Sequence, residues 1–201
     1  MITLPANGKV ESEVQGRNMS IVKEKRLSRK TVFEGHLIKV YTDEADLAGR
    51  RVHREVVLHQ EASAIIPIDK DGNVLFVEQY RYPVDKVLLE IPAGKVDPGE
   101  DGLTCARREL EEETGYTGEL IHLGDVYTTP GFCNELIHLY LAENLVHTHQ
   151  HLDEGEFLNV VAIPLKKVFE DIREGHIHDA KTLSAFAIAI AGERLKRFAD
   201  K

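Results

Sequence analysis

Residues 94–116 read GKVDPGEDGLTCARRELEEETGY, and the fold turns on how that run is read. It gathers five glutamates and two arginines around one short helix, with Glu109, Glu111, Glu112 and Glu113 inside five consecutive positions. Like charges at helical spacing repel by roughly a few tenths of a kcal/mol per pair, so the cluster adds nothing to stability. For a bare run of glutamates the ordinary explanation is a solvated acidic face. The alternative is a divalent cation.

Helix geometry decides which carboxylates can act together. At about 100° per residue, Glu109 and Glu113 lie about 40° apart, and Glu112 falls about 60° to the other side of Glu109. Glu111 points about 200° away from Glu109, four residues after Arg107, where an ordinary surface pair is expected. Leu103, Ala106 and Leu110 form an apolar stripe beside the acidic edge, which predicts a half-buried helix. Asp101 is placed to cap its start, and Gly115 sits where a left-handed C-terminal residue is wanted. Oxygen ligands at this spacing suit Mg²⁺ or Mn²⁺.

The spacing around the helix reverses the ordinary reading. Gly94, Glu100, Arg108, Glu109, Leu110, Glu112, Glu113, Gly115 and Tyr116 fill the pattern G-x5-E-x7-R-E-U-x-E-E-x-G-U, where U is a bulky apolar residue. The pattern resembles the signature of the Nudix hydrolases; only Tyr116 departs from its aliphatic norm. The resemblance implies an α/β fold, an α/β/α sandwich around a mixed sheet. It also implies metal-dependent hydrolysis of a nucleoside diphosphate linked to another moiety. Carried over residue by residue, Glu109, Glu113 and the backbone carbonyl of Ala93 are metal ligands, and Glu112 bridges or binds through water. Arg108 pairs with Glu100 and braces the metal glutamates.

Segments outside this box resemble the ADP-ribose pyrophosphatase branch. They are Glu78-Gln79-Tyr80-Arg81, Leu89-Glu90-Ile91-Pro92-Ala93-Gly94, and Pro130 fifteen residues beyond Gly115. By that resemblance Arg81 contacts the diphosphate, Arg54 and Glu55 line an adenosine pocket, and Pro130 and Gly131 mark the substrate loop. Glu135 is a candidate for the terminal ribose hydroxyls. The acidic stretch at residues 153–157 resembles the loop that supplies a further catalytic glutamate. Glu156 is the candidate general base there, with Glu154 as its competitor and a metal-bound hydroxide as the third option. Alternation within the following strand predicts that Phe157 enters the core. Asp179-Ala180-Lys181-Thr182 resembles the start of the last helix in the same branch.

The remaining properties bound the answer more loosely. The chain has 201 residues, 42% of them hydrophobic and 29% charged, enough for one sizeable domain with an appendage. A net charge of −9 argues against a nucleic-acid backbone as partner. Cys105 and Cys133 make no disulfide framework, which makes a reducing cytoplasm the default expectation. No apolar stretch approaches the roughly 20 residues of a membrane span, so no membrane partner is expected. Residues 1–30 read as a flexible polar leader without the layout of a signal peptide, and Met19 is a candidate natural start.

Residues 31–60 read as an N-terminal β region and 61–201 as the Nudix hydrolase domain. Strands are expected at 31–41, 52–59, 62–69, 74–80, 87–91, 119–128, 136–143 and 157–164, and closing helices at 165–174 and 180–197. The resemblance and the extra strand edges predict a homodimer. His147, His149 and His151 alternate on a variable loop that offers no fixed second shell for zinc. The function expected is Mg²⁺-dependent hydrolysis of ADP-ribose to AMP and ribose 5-phosphate. The alternatives are another nucleoside diphosphate sugar or dinucleotide (ADP-glucose, GDP-mannose, NADH), or a non-catalytic ADP-ribose sensor.

Overall fold

The computed structural model describes residues 21–152, 155 and 157–198. Strands β1 (Lys25–Glu34), β2 (Lys39–Leu47) and β3 (Arg50–Leu58) form an antiparallel meander. There follow β4 (Ala62–Pro67), β5 (Asn73–Arg81), β6 (Lys86–Glu90) and β7 (Ala93–Lys95), then helix α1 (Gly102–Thr114). The chain continues through β8 (Tyr116–Tyr127), β9 (Leu136–His147) and β10 (Leu158–Pro164) into α2 (Leu165–Glu174) and α3 (Ala180–Ala191).

One sheet has the order β7-β4-β9-β8, and a second has the order β10-β5-β6. The first is mixed: β4 runs parallel to β9, while β7 and β8 pair antiparallel. Alternation along β4 sorts its side chains to two faces. Ala62, Ala64 and Ile66 join the core that holds Leu165 and Val168 of α2 and Ala185, Phe186 and Ala189 of α3. Ile65 points the other way and packs with Ala106 and Leu110 of α1 and with Tyr140 and Ala142 of β9. Helices thus cover both faces of the mixed sheet, the α/β/α sandwich expected, and Phe76 of β5 stacks on Phe186 with centroids 6.2 Å apart.

Several element ends differ from the sequence reading. The strand expected at 31–41 is two strands, because Gly35 N–H donates to the Ile38 carbonyl (2.9 Å) and turns the chain. β1 begins at Lys25, inside the stretch assigned to a leader, because cross-strand pairing to β2 orders a segment that has no apolar pattern of its own. The turn after β2 uses Ala48 (φ 53°) and Gly49 (φ 83°), the left-handed pair that a two-residue hairpin needs. The final helix stops at Ala191 instead of running to Arg197; Gly192 ends it, and a separate 3-10 turn spans Lys196–Phe198. Phe157 is 85% exposed and not in the core, since β10 starts only at Leu158.

Candidate active site

Helix α1 forms where its capping residues say it should. The Asp101 side chain accepts from Thr104 N–H (2.8 Å), and Gly115 closes the helix at φ 73° with its N–H on the Glu111 carbonyl. The last turn's free carbonyls find partners in the histidine-bearing segment. Thr148 N–H donates to Gly115 O (2.7 Å) and His151 N–H to Glu112 O (3.1 Å), while Gln150 Nε2 donates to Glu113 O (2.6 Å). These bonds satisfy groups a helix end leaves open, and they give the segment around His149 and His151 a structural part.

The buried stripe is shifted from the one expected. Ala106 and Leu110 are fully buried as predicted, but Cys105 is too, and Leu103 is exposed. Cys105 lies under the 93–95 strand, with Sγ 3.4 Å from the Lys95 carbonyl; burial pushes its thiol up to about 11. Nor does Glu111 pair with Arg107 among the described residues; Arg107 instead adds to the field that lowers the pKa of Asp101, whose main cause is the bond from Thr104 N–H.

Arg108 organises the acidic edge. Nε and Nη2 grip Glu100 at 3.1 and 2.9 Å, and Nη2 also donates to the Lys95 carbonyl (3.0 Å). Nη1 reaches Glu109 at 2.6 Å and Glu112 at 3.0 Å. The bonds from Arg108 hold the Glu100 carboxyl below the usual carboxylate range, and the same bonds raise the arginine pKa. Glu113 is buried and accepts from Ala93 N–H (2.9 Å), which ties the helix to the strand that carries the predicted Ala93 ligand. At Gly94 a methyl group would overlap the Glu109 carboxylate, so the missing side chain is the cradle in which that carboxylate lies.

These acids share an edge but not a single point. Among the described residues, the triads of His, Asp or Glu with ligand atoms within 4.8 Å of one another lie outside the box. Arg108 stands between Glu109 and Glu112.

Arg81 ends β5, and its guanidinium forks onto Glu90 (Nε 2.7 Å, Nη2 2.6 Å). Glu90 is 1% exposed and is also contacted by Lys181, whose Nζ reaches Asp179 at 3.0 Å. Asp179 caps α3 through Thr182 N–H, and Thr182 Oγ1 accepts from Ile91 N–H (3.0 Å). Sequence reasoning gave Glu90 and Lys181 no role. The available signal was a charged residue inside the apolar run VLLEIP, which needs a partner when buried.

A cleft of about 340 Å³ lies between β3 and the loop after β8, lined by Arg54, Glu55, Tyr127, Pro130, Gly131 and Phe132 among others. It unites four predicted substrate residues that are some 75 positions apart in sequence. Arg54 is held by Glu24 (3.0 and 2.6 Å). Val57 N–H donates to the Phe132 carbonyl (2.7 Å) and His59 N–H to Asn134 Oδ1 (2.8 Å), which bind the meander to this loop. Glu135 stands outside the lining, accepting from Thr128 Oγ1 (2.7 Å). Asp153, Glu154 and Glu156 lie outside the described residues.

The family profile of the NUDIX domain matches residues 58–186. The chain belongs to the Nudix family. It is 37% identical to an ADP-ribose pyrophosphatase of Bacillus subtilis (strain 168) over 174 residues, covering 85% of this chain and 93% of that protein. It is 39% identical to a methanol dehydrogenase activator of Bacillus methanolicus over 180 residues, 88% of this chain and 97% of the relative. A solved structure described as the crystal structure of an ADP compounds hydrolase superposes with a TM-score of 0.79 at 26% identity, covering 90% of this chain and 98% of that one. The chain is therefore a Nudix hydrolase, of a family that generally works with a divalent metal. No helix among its described residues is long and apolar enough to cross a membrane.

Proposed function

We propose that this Nudix hydrolase splits the diphosphate of ADP-ribose into AMP and ribose 5-phosphate, as a cytoplasmic homodimer that uses Mg²⁺, with Mn²⁺ as a substitute. The observation that carries the substrate reading is the cleft that joins Arg54 and Glu55 to Pro130 and Gly131. The names of the Bacillus subtilis relative and of the structural neighbour point the same way.

The donor set suits such an ion: Glu109, Glu112, Glu113 and the Ala93 carbonyl are all hard oxygen ligands. The Gly94 cradle keeps the Glu109 carboxylate against the strand that carries Ala93. When bound, the ion neutralises the diphosphate and makes water a stronger nucleophile at neutral pH.

The protein groups supply the rest. Arg108 holds Glu109 and Glu112 in place through one nitrogen and is itself anchored on Glu100 and Lys95. Arg81 presents a guanidinium whose Nε and Nη2 are fixed by Glu90, which leaves Nη1 for a phosphate oxygen. Glu156 takes the proton of the attacking water, with Glu154 the competing base. In the cleft, Arg54 and Glu55 receive the adenosine and Pro130 and Gly131 shape the loop beside it; Glu135, outside that lining, takes the terminal ribose hydroxyls.

A second reading is favoured by the Bacillus methanolicus relative: a nucleotide-responsive activator of a partner dehydrogenase. One experiment separates the two. Purified protein with Mg²⁺ is offered ADP-ribose, ADP-glucose, NADH, diadenosine polyphosphate and GDP-mannose, and nucleotide release (AMP, or GMP from GDP-mannose) is measured beside the Glu112→Gln variant. ADP-ribose is expected to be cleaved fastest, with at least about a 100-fold loss in the variant. Intact ADP-ribose beside rapid cleavage of another substrate would sink the substrate assignment. No turnover of anything, with ligand binding kept in the variant, would favour the activator.

A further inference from the structure

Strands β8 and β9 place three metal-ligand side chains together outside the Nudix box. In a regular strand, residues three apart point to opposite faces. The register here runs His122↔Tyr140, Gly124↔Leu139 and Asp125↔His138, so one extra residue is inserted between His122 and Gly124. That bulge restores His122 and Asp125 to one face, the face on which His138 lies. His122 Nε2 and His138 Nδ1 each sit 2.8 Å from Asp125 Oδ1, and one ligand atom from each residue falls within 4.8 Å of the others.

Both imidazoles are braced from behind. The His122 ring rests on Tyr140 with centroids 5.2 Å apart. His138 presents Nδ1 to Asp125 while Nε2 lies 3.0 Å from Glu61 Oε2, the outer carboxylate that orients metal-bound imidazoles. The other side of that ring is packed under the first turn of α1, where a methyl on Gly102 would strike it. Ser63 Oγ donates to the Gly102 carbonyl (2.7 Å) and fixes the same turn. Against the lowering effect of partial burial, hydrogen bonds to Glu61 and Asp125 keep the His138 pKa above its ordinary value.

We propose that His122, Asp125 and His138 form a second divalent-cation site, with Glu61 as its outer carboxylate. Two imidazoles and one carboxylate select a borderline ion such as Zn²⁺ over Mg²⁺, the opposite of the all-oxygen box. Three protein ligands leave a coordination position open to water. The ion would pin the β8 bulge and β9 against the start of α1.

The test is equilibrium dialysis of the full chain, stripped of metal, against Zn²⁺ in an excess of Mg²⁺, which keeps the oxygen site filled. One Zn²⁺ per chain is expected for the wild type, with at least about tenfold weaker binding in His122→Ala and in Asp125→Asn. Glu61→Gln should weaken it by about 10–100-fold, the usual cost of losing an outer partner. His122 and Asp125 are exposed, so these variants fold; a thermal melt confirms it, and Zn²⁺ raises the wild-type melting temperature but not that of His122→Ala. Absence of Zn²⁺ binding, or binding equal in wild type, His122→Ala and Asp125→Asn, overturns the proposal. Turnover is not the readout, so failure here leaves the hydrolase reading untouched.

Discussion

A single hydrogen atom at Gly94 decides how the Nudix box is assembled. The Glu109 carboxylate lies where a Cβ would be, and Arg108 holds it there at 2.6 Å. In Gly94→Ala the methyl pushes away the end of a flexible side chain, not a piece of backbone. The melting temperature should therefore change little. Glu109 would swing off the strand that carries Ala93, and misplacement of a catalytic group by about 1 Å can cost about 100-fold in rate. The expected result is a kcat for ADP-ribose lowered by about 100-fold or more beside a near wild-type thermal melt. A variant with kcat within about threefold of wild type would show that Glu109 has no need of the cradle. This residue was legible in the sequence as the first position of the box, but its reason was not: the spacing names a glycine, and only the packing says what occupies its missing side chain.

Between elements, the Glu90 cluster ties β6, β5 and α3 into one body. Burial alone would raise the Glu90 pKa, but the Arg81 fork and the Lys181 ammonium outweigh it and hold the carboxyl below its ordinary range. A depressed carboxylate pKa contributes stability that is complete above the unfolded value of about 4.3 and is lost as pH falls through the folded one. Glu90→Gln should cost about 3 kcal/mol at pH 7, the low end for breaking a buried pair, because Arg81 keeps access to water. Denaturant melts should show that penalty shrinking below about pH 4, where the wild type also takes up its proton. A penalty constant from pH 7 to pH 3 would mean the charge of Glu90 contributes nothing. The cluster escaped the sequence reading because Glu90 and Lys181 are 91 positions apart, and no local pattern links them. Helix α1, by contrast, was legible at both ends, since Asp101 and Gly115 carry their capping chemistry locally. Strand ends follow pairing partners instead, which is why β1 started early and Phe157, just outside β10, was misplaced into the core.

At the scale of the molecule, the β1–β3 meander is the part that the other described residues cover least. Every residue of β1 is exposed, including Leu27, Val32 and Phe33 at about half their full area. β1 is also the outer strand of its sheet, with an edge that another chain can pair or cover. The opposite edge is already committed, through Val57 and the Phe132 and Cys133 backbone, to the loop that lines the proposed substrate cleft. A second copy on β1 would remove these apolar side chains from water and steady Arg54 and Glu24 at the cleft. Sedimentation should then give twice the 22.6 kDa of one chain at micromolar concentration. Leu27→Asp with Val32→Asp should shift the species to monomer while the circular dichroism spectrum stays the same. Because Arg54 belongs to the meander and the glutamates to α1, the monomer should show a raised KM for ADP-ribose with kcat changed less. A wild-type chain that sediments as a monomer, or a double variant that remains a dimer, would put the interface somewhere other than this sheet.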